Sequence, residues 1–171
     1  MSLVPRVSLK SLLAVSIMAA PLSLAAVGLS GCSKQYIPNT EVEENDFNWR
    51  VVEFCEKYRR AVEKRNVALL LQMADSTYYE DGGTIDPSDD IDYAGLKDYL
   101  STKFRETSSI RYEIRYRRVQ PTDRSIVQVD YTYSASYKLP TEEGESWRRS
   151  VADNRLELRP EGESFKIISG M

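Results

Sequence analysis

Apolar residues in this chain change their spacing three times, and each change marks a boundary. An uncharged run from Ser11 to Leu29 comes first, interrupted by Pro21 and preceded by Arg6 and Lys10, the only charges before Lys34. Ser33 to about Asn45 then has no apolar periodicity and carries Pro38, Asn39, Thr40 and a cluster of glutamates, the pattern of a flexible tether. From Phe47 the spacing turns helical. Phe47, Val51, Phe54, Cys55, Tyr58 and Val62 fall on one stripe, with Asp46 placed to cap the first turn. Asn66 breaks that stripe and can cap a short second helix carrying Val67, Leu70, Leu71 and Ala74. A short strand over Thr77 to Asp81 runs into Gly82-Gly83, an acidic loop follows from Thr84 to Asp92, and Leu96, Tyr99, Leu100 and Phe104 mark a third helix.

The last change comes at Ser109, where the period drops to two. Ile110, Tyr112, Ile114 and Tyr116 alternate with Arg111, Glu113, Arg115 and Arg117. After a turn at Pro121-Thr122-Asp123-Arg124, Val127, Val129, Tyr131, Tyr133, Ala135 and Tyr137 alternate with polar residues. These are two long antiparallel strands, each with an apolar-aromatic face and a polar face. A third strand is predicted from Trp147 to Leu158, a tight turn at Arg159-Pro160-Glu161-Gly162, and a last strand at Phe165-Lys166-Ile167-Ile168. Helices gathered before strands make an α+β domain, with one curved sheet wrapped over the three helices.

Composition narrows the chemistry. The chain has no histidine and two cysteines, Cys32 and Cys55. Cys55 lies on the first helical stripe and reads as an inert core residue. Metal sites and catalytic triads built on histidine are excluded, and no cofactor is implied. Asp86, Asp89, Asp90 and Asp92 lack the ordered oxygen ligands of a calcium loop and read as a solvated acidic loop, so no metal site is expected. Two of the 23 Lys and Arg residues precede Cys32, leaving 21 against 26 Asp and Glu, a charge of −5 from Cys32 onward. That balance argues against binding nucleic acid. The arginines of the first long strand read either as an anion patch or, more simply, as a solvated face paired with Glu113 and Asp130. All 11 tyrosines follow Cys32, which suits a partly wet cavity or a half-buried sheet face.

The first apolar run ends in Leu29-Ser30-Gly31-Cys32. It is long enough to cross a bilayer, but Pro21 interrupts it and no basic stop-transfer residues follow. With its basic start and small-residue exit it resembles a bacterial lipoprotein signal peptide ending in a lipobox. The resemblance implies cleavage after residue 31, lipidation of Cys32 and attachment to the membrane through it. The predicted division is a signal peptide at 1–31, a tether at 32–46 and a domain at 47–171. Ser33 in second place implies the periplasmic face of the outer membrane in a Gram-negative cell.

Residues 47–171 resemble the nuclear-transport-factor-2-like superfamily, within it the SnoaL-like cyclase and ketosteroid isomerase branch. The resemblance rests on Tyr58 to Asn66, Ala74 to Gly82, Asn154 to Leu158 and Phe165 to Ile168. It implies a cone-shaped barrel whose open end forms an apolar pocket, with Tyr112, Tyr116, Tyr131 and Tyr133 as candidate lining. By the same resemblance Asp81 would be a general base, with Tyr58 and Asn154 as donors to a forming enolate. The branch has an acid where Asn154 stands, and Asp153 lies one residue out of register, so it would reach the pocket only through a bulge. The leading expectation is therefore a membrane-anchored envelope lipoprotein that binds a small apolar or amphipathic ligand, or a protein partner, without catalysis. The alternative is an isomerase, cyclase or dehydratase using Asp81, Tyr58 and Asn154. A third reading is a structural module with the cone filled by tyrosines. Such cones pair through the outer sheet face, so a homodimer is the association the resemblance implies.

Overall fold

The structure, a computed structural model, describes residues 33–83, 86–122, 124–142 and 144–171. The signal peptide and Cys32 expected at 1–32 lie outside the described residues. Among the described residues no helix is long and apolar enough to cross a membrane.

Three helices precede the main sheet: α1 (Asp46–Glu63), α2 (Val67–Met73) and α3 (Tyr93–Arg105). Between α2 and α3, β1 (Tyr79–Glu80) pairs antiparallel with β2 (Ile91–Asp92), which the hydrophobic pattern did not predict. The sheet follows in chain order, β3 (Ser109–Pro121), β4 (Val127–Thr141), β5 (Gly144–Glu161) and β6 (Ser164–Ser169), each antiparallel to the next. This is the α+β arrangement of three helices against a curved antiparallel sheet that the sequence pattern implies.

Local chemistry accounts for the boundaries. Asn45, not Asp46, caps α1, its side chain accepting from the Asn48 amide at 2.8 Å. Asn66 caps α2 by accepting from the Leu69 amide at 3.0 Å, and Asp92 caps α3 through the Gly95 amide at 2.8 Å. β5 runs three residues past Leu158, so the turn to β6 sits at Gly162-Glu163 rather than at Pro160, with Glu161 opposite Ser164. Gly162 has φ 59°, which a glycine adopts without the Cβ clash other residues meet there.

The helices bury their apolar stripes on the inner sheet face. Val51, Cys55, Tyr58 and Ala61 of α1, Leu70 and Met73 of α2 and Leu96 of α3 meet Tyr112, Tyr116, Val129, Tyr131, Leu156 and Ile167 in one core. Phe165 of β6 packs against Phe47 and Phe54 of α1, with ring centroids 6.1 and 5.6 Å apart.

The segment before α1 departs from a flexible tether. Ile37 and Val42 are each only 2% exposed and belong to the core. Asn39, at φ 62°, turns the chain so that the Ile37 amide meets the Val42 carbonyl at 2.9 Å and the Glu44 amide meets the Gln35 carbonyl at 2.8 Å. The Glu41 amide bonds the Tyr116 carbonyl at 2.9 Å, and buried Asn48 donates to the Glu43 carbonyl at 2.8 Å. Two isolated apolar residues joined by a turn show no period, yet they fold as part of the domain.

α1 also covers the outer edge of β3. Arg59 donates to the Tyr112 carbonyl at 3.1 Å, while Glu63 accepts from the Tyr112 amide at 3.1 Å and from Arg59 at 2.8 Å. On the far edge, Asp75 donates its amide to the Ile167 carbonyl at 2.8 Å.

Candidate functional site

The inner face of the sheet gathers tyrosines around Tyr58 of α1. Tyr58 is 4% exposed, and its ring lies edge-on to Tyr112 at 6.4 Å, which in turn stacks at a tilt on Tyr133 at 5.6 Å. The period-two alternation puts Tyr112, Tyr131 and Tyr133 on one face with Ile110, Ile114 and Ala135. Tyr131 is fully buried and accepts a hydrogen bond at 3.0 Å from the Asn154 side-chain amide, which also donates to the Gly170 carbonyl at 3.2 Å. Tyr58, Tyr112 and Tyr131 thus gather in one buried tyrosine cluster, to which Asn154 is hydrogen-bonded. Burial holds the hydroxyls of Tyr58, Tyr112 and Tyr131 above the ordinary tyrosine pKa, with neighbouring tyrosines adding to the effect at Tyr58 and Tyr131, so they stay protonated.

Register decides which of the two β5 candidates turns inward. Asn154 stands opposite Tyr131 and Asp153 opposite Thr132, without a bulge between them. Asp153 faces outward, accepting from the Thr132 hydroxyl at 2.6 Å and pairing with Arg117 at 3.4 Å. The bulge falls instead on β3: Tyr116 opposes Tyr131 while Arg118 opposes Asp130, leaving Arg117 extra. The phase flips there, so Val119 turns inward where continued alternation from Tyr116 would put Arg118.

Asp81 sits apart from this cluster. It is exposed, and its carboxylate accepts from the Gly83 amide at 3.0 Å, closing a turn. Buried Tyr58 and exposed Asp81 therefore do not share an environment. Glu80, one residue earlier, is half-buried. Glu80 accepts from the Gly170 amide at 2.6 Å and the Ser169 hydroxyl at 3.1 Å, and its neighbour Tyr78, 2% exposed, accepts from the Met171 amide at 3.2 Å. Alternation counted from Tyr78 would have assigned Glu80, not Asp81, to the inner side. Gly170 makes this closure feasible: at φ 93°, a Cβ there would lie 1.9 Å from the Arg155 carbonyl oxygen.

The remaining candidates have local roles. Tyr116 donates to Glu56 at 2.9 Å, tying β3 to α1. In the acidic loop Asp86 accepts from the Ser88 amide at 3.0 Å, Asp92 caps α3, and Tyr79 donates to Asp90. Cys55 is fully buried, and burial pushes its thiol far above the ordinary value, so it is chemically quiet. On the outer sheet face a groove of about 640 Å³ is lined by Arg117, Arg118, Asp130, Asp153 and Arg155. Its charges answer one another, with Asp130 bound 2.6 Å from both Arg118 and Arg155.

The backbone of this arrangement is shared with solved structures. Kfla4162 protein from Kribbella flavida superposes with TM-score 0.60 at 14% identity, covering 72% of this chain and 86% of that one. Aln2 from a Streptomyces species gives TM-score 0.57 at 8% identity, covering 75% and 90%. A protein of the NTF2-like family from Streptomyces avermitilis gives TM-score 0.57 at 12% identity, covering 72% and 92%. Comparison of the sequence with family models and with curated proteins finds no match. Identities this low carry the fold alone, and the fold is the NTF2-like cone.

Proposed function

We propose that the chain is an envelope lipoprotein, anchored through Cys32, whose cone domain binds a small apolar or amphipathic ligand without catalysing a reaction on it. The observation that carries the binding reading is the continuity of the inner sheet face. Buried hydroxyl donors at Tyr58, Tyr112 and Tyr131 lead directly into half-buried Ile110, Tyr133 and Ala135, a polar end joined to an apolar wall. Such a surface suits a molecule with one acceptor group and an apolar body. The exposure of Asp81 and its bond to Gly83 support a non-catalytic role, because a base must reach the proton it removes. The anchor reading rests on the lipobox-like Leu29-Ser30-Gly31-Cys32.

Two measurements test this. Residues 33–171 titrated with N-phenyl-1-naphthylamine should give a saturable fluorescence rise, weakened at least tenfold by Tyr133→Arg with the fold retained. Absence of saturation would sink the binding reading. Metabolic labelling with an alkynyl fatty acid should mark the full chain and be lost in Cys32→Ala; label that survives the substitution would remove the anchor. A second reading, an isomerase, cyclase or dehydratase, draws on the buried cluster of Tyr58, Tyr112 and Tyr131 with the Asn154 amide bonded to Tyr131. Its isomerase form requires turnover of a β,γ-unsaturated ketone that disappears in Asp81→Ala, and none is expected.

A further inference from the structure

The far end of the outer sheet face carries charge that the protein itself does not neutralise. The Arg111 guanidinium lies over the Trp147 ring, 4.9 Å from its centroid. Register places Arg111 opposite Ser136, and Ser136 opposite Arg149, so the two arginines flank one serine across three strands. Trp147 is 44% exposed and Val151, two places beyond Arg149 on the same face, is 56% exposed. Among the described residues Arg111 and Arg149 form no ion pair, whereas Arg115, Arg117, Arg118 and Arg155 on the same sheet all do. Two acids share this end of the face: Glu113, set against Ser134 and Val151, and Glu145, which pairs with Lys138 opposite Trp147 and so leaves the two arginines unanswered. A basic end on a chain of net charge −3 is a local asymmetry, not a consequence of composition.

We propose that this end of the sheet docks on an anionic lipid surface, with the arginines at the phosphates and Trp147 at the headgroup level. Three properties favour lipid over other occupants. An indole beside guanidinium groups matches the amphipathic, anionic boundary of a bilayer. A second copy meeting the same patch about a two-fold axis would set arginine against arginine. The distance to the membrane is short as well, a step that rests on the anchored reading. Lys34 already pairs with Glu43, and the Gln35 carbonyl is bonded by the Glu44 amide, so only Ser33 lies between Cys32 and chain that is held to the domain. That exit flanks the outer side of β3, where Glu41 pairs with Arg115 at 2.9 Å. Arg111 is four residues along the same strand, about 13 Å away. A domain held this closely presents its β3 side to the surface without needing reach.

The test uses residues 33–171, which contain the whole core and lack Cys32, so it is independent of acylation. Flotation with phosphatidylcholine vesicles containing phosphatidylglycerol is compared with phosphatidylcholine alone at low and high salt, in a Trp49→Phe background so that fluorescence reports Trp147. Expected are binding to the anionic vesicles only, loss at high salt, a blue shift of Trp147 emission, and at least fivefold weaker binding in Arg111→Glu/Arg149→Glu with an unchanged melting temperature. Equal binding to both vesicle types, or binding indifferent to the charge reversal, overturns the proposal. So does concentration-dependent dimerisation abolished by the same reversal, which would assign the face to a second copy. Failure of Cys32 labelling with vesicle binding intact would overturn the anchor and not the docking face.

Discussion

Replacing Ile37 by alanine separates a tether from a piece of the core. Ile37 is 2% exposed and seated between the turn at Asn39 and the body of the domain. Truncation removes three carbons, worth roughly 0.8 kcal/mol each in lost transfer energy. A residual cavity adds to this because a turn closed by its own hydrogen bonds collapses poorly, giving a total of about 2–4 kcal/mol. For a domain of this size each kcal/mol lowers the melting temperature by roughly 3–5 °C, so a drop of about 6–20 °C is expected. The assay is thermal and urea unfolding of residues 33–171 followed by circular dichroism. Tyr36→Ala, at a neighbouring position that is 51% exposed, serves as the control and should stay within about 0.5 kcal/mol of the parent. An Ile37→Ala protein equal in stability to the control would refute the placement of this segment in the core.

Gly170→Ala forces a Cβ against the Arg155 carbonyl at a positive φ, and should destabilise by about 2 kcal/mol or more, read as a lower urea midpoint. Asp75 supplies a pH dependence. Burial alone would raise its carboxyl, but the Thr77 amide and hydroxyl and Arg159, 2.7 Å away, outweigh it and hold the pKa below the usual carboxylate value. A depressed folded pKa contributes stability above the unfolded value, near 4, that is lost as pH falls through the folded one. Asp75→Asn should therefore flatten the acid limb of a stability-against-pH curve while lowering stability at neutral pH; an unchanged limb would disprove it. Cys55 in the native domain should resist a thiol reagent such as Ellman's and react only on unfolding, and rapid native reaction would contradict its burial.

How much of this was legible from the chain depends on whether a residue's partner shares its period. Helix α2 with its Asn66 cap, and the alternating faces of β3 and β4, follow from local spacing, so the sheet and its inner tyrosines could be read directly. The bulge at Arg117 could not, because an extra residue between Tyr116 and Val119 leaves no trace in composition and only shifts phase. Ile37 and Val42 were hidden for a related reason: the turn that carries them is tied through Glu41 to Tyr116 and through Glu43 to Asn48, far along the chain or in the next helix. At the candidate site Tyr58 and Asn154 turn inward as their stripes require. Asp81 lies on the solvent side because β1 is only two residues long and its phase is set by Tyr78.

The clamp that Arg59 and Glu63 place on Tyr112 has a consequence for the protein in a crowded layer. An uncovered strand edge recruits a second chain by strand addition, the first step of edge-to-edge aggregation. Here β3 offers neither the amide nor the carbonyl of Tyr112, nor the carbonyl of Tyr116, to such a chain. β6 extends β5 only over Glu157–Glu161, so the uncovered run lies along the far half of β5, where Arg148 and Arg149 repel a like strand. The sheet is thereby guarded on one side by satisfied backbone and on the other by charge. Removing Glu63 would open a route to self-association that the native chain keeps shut.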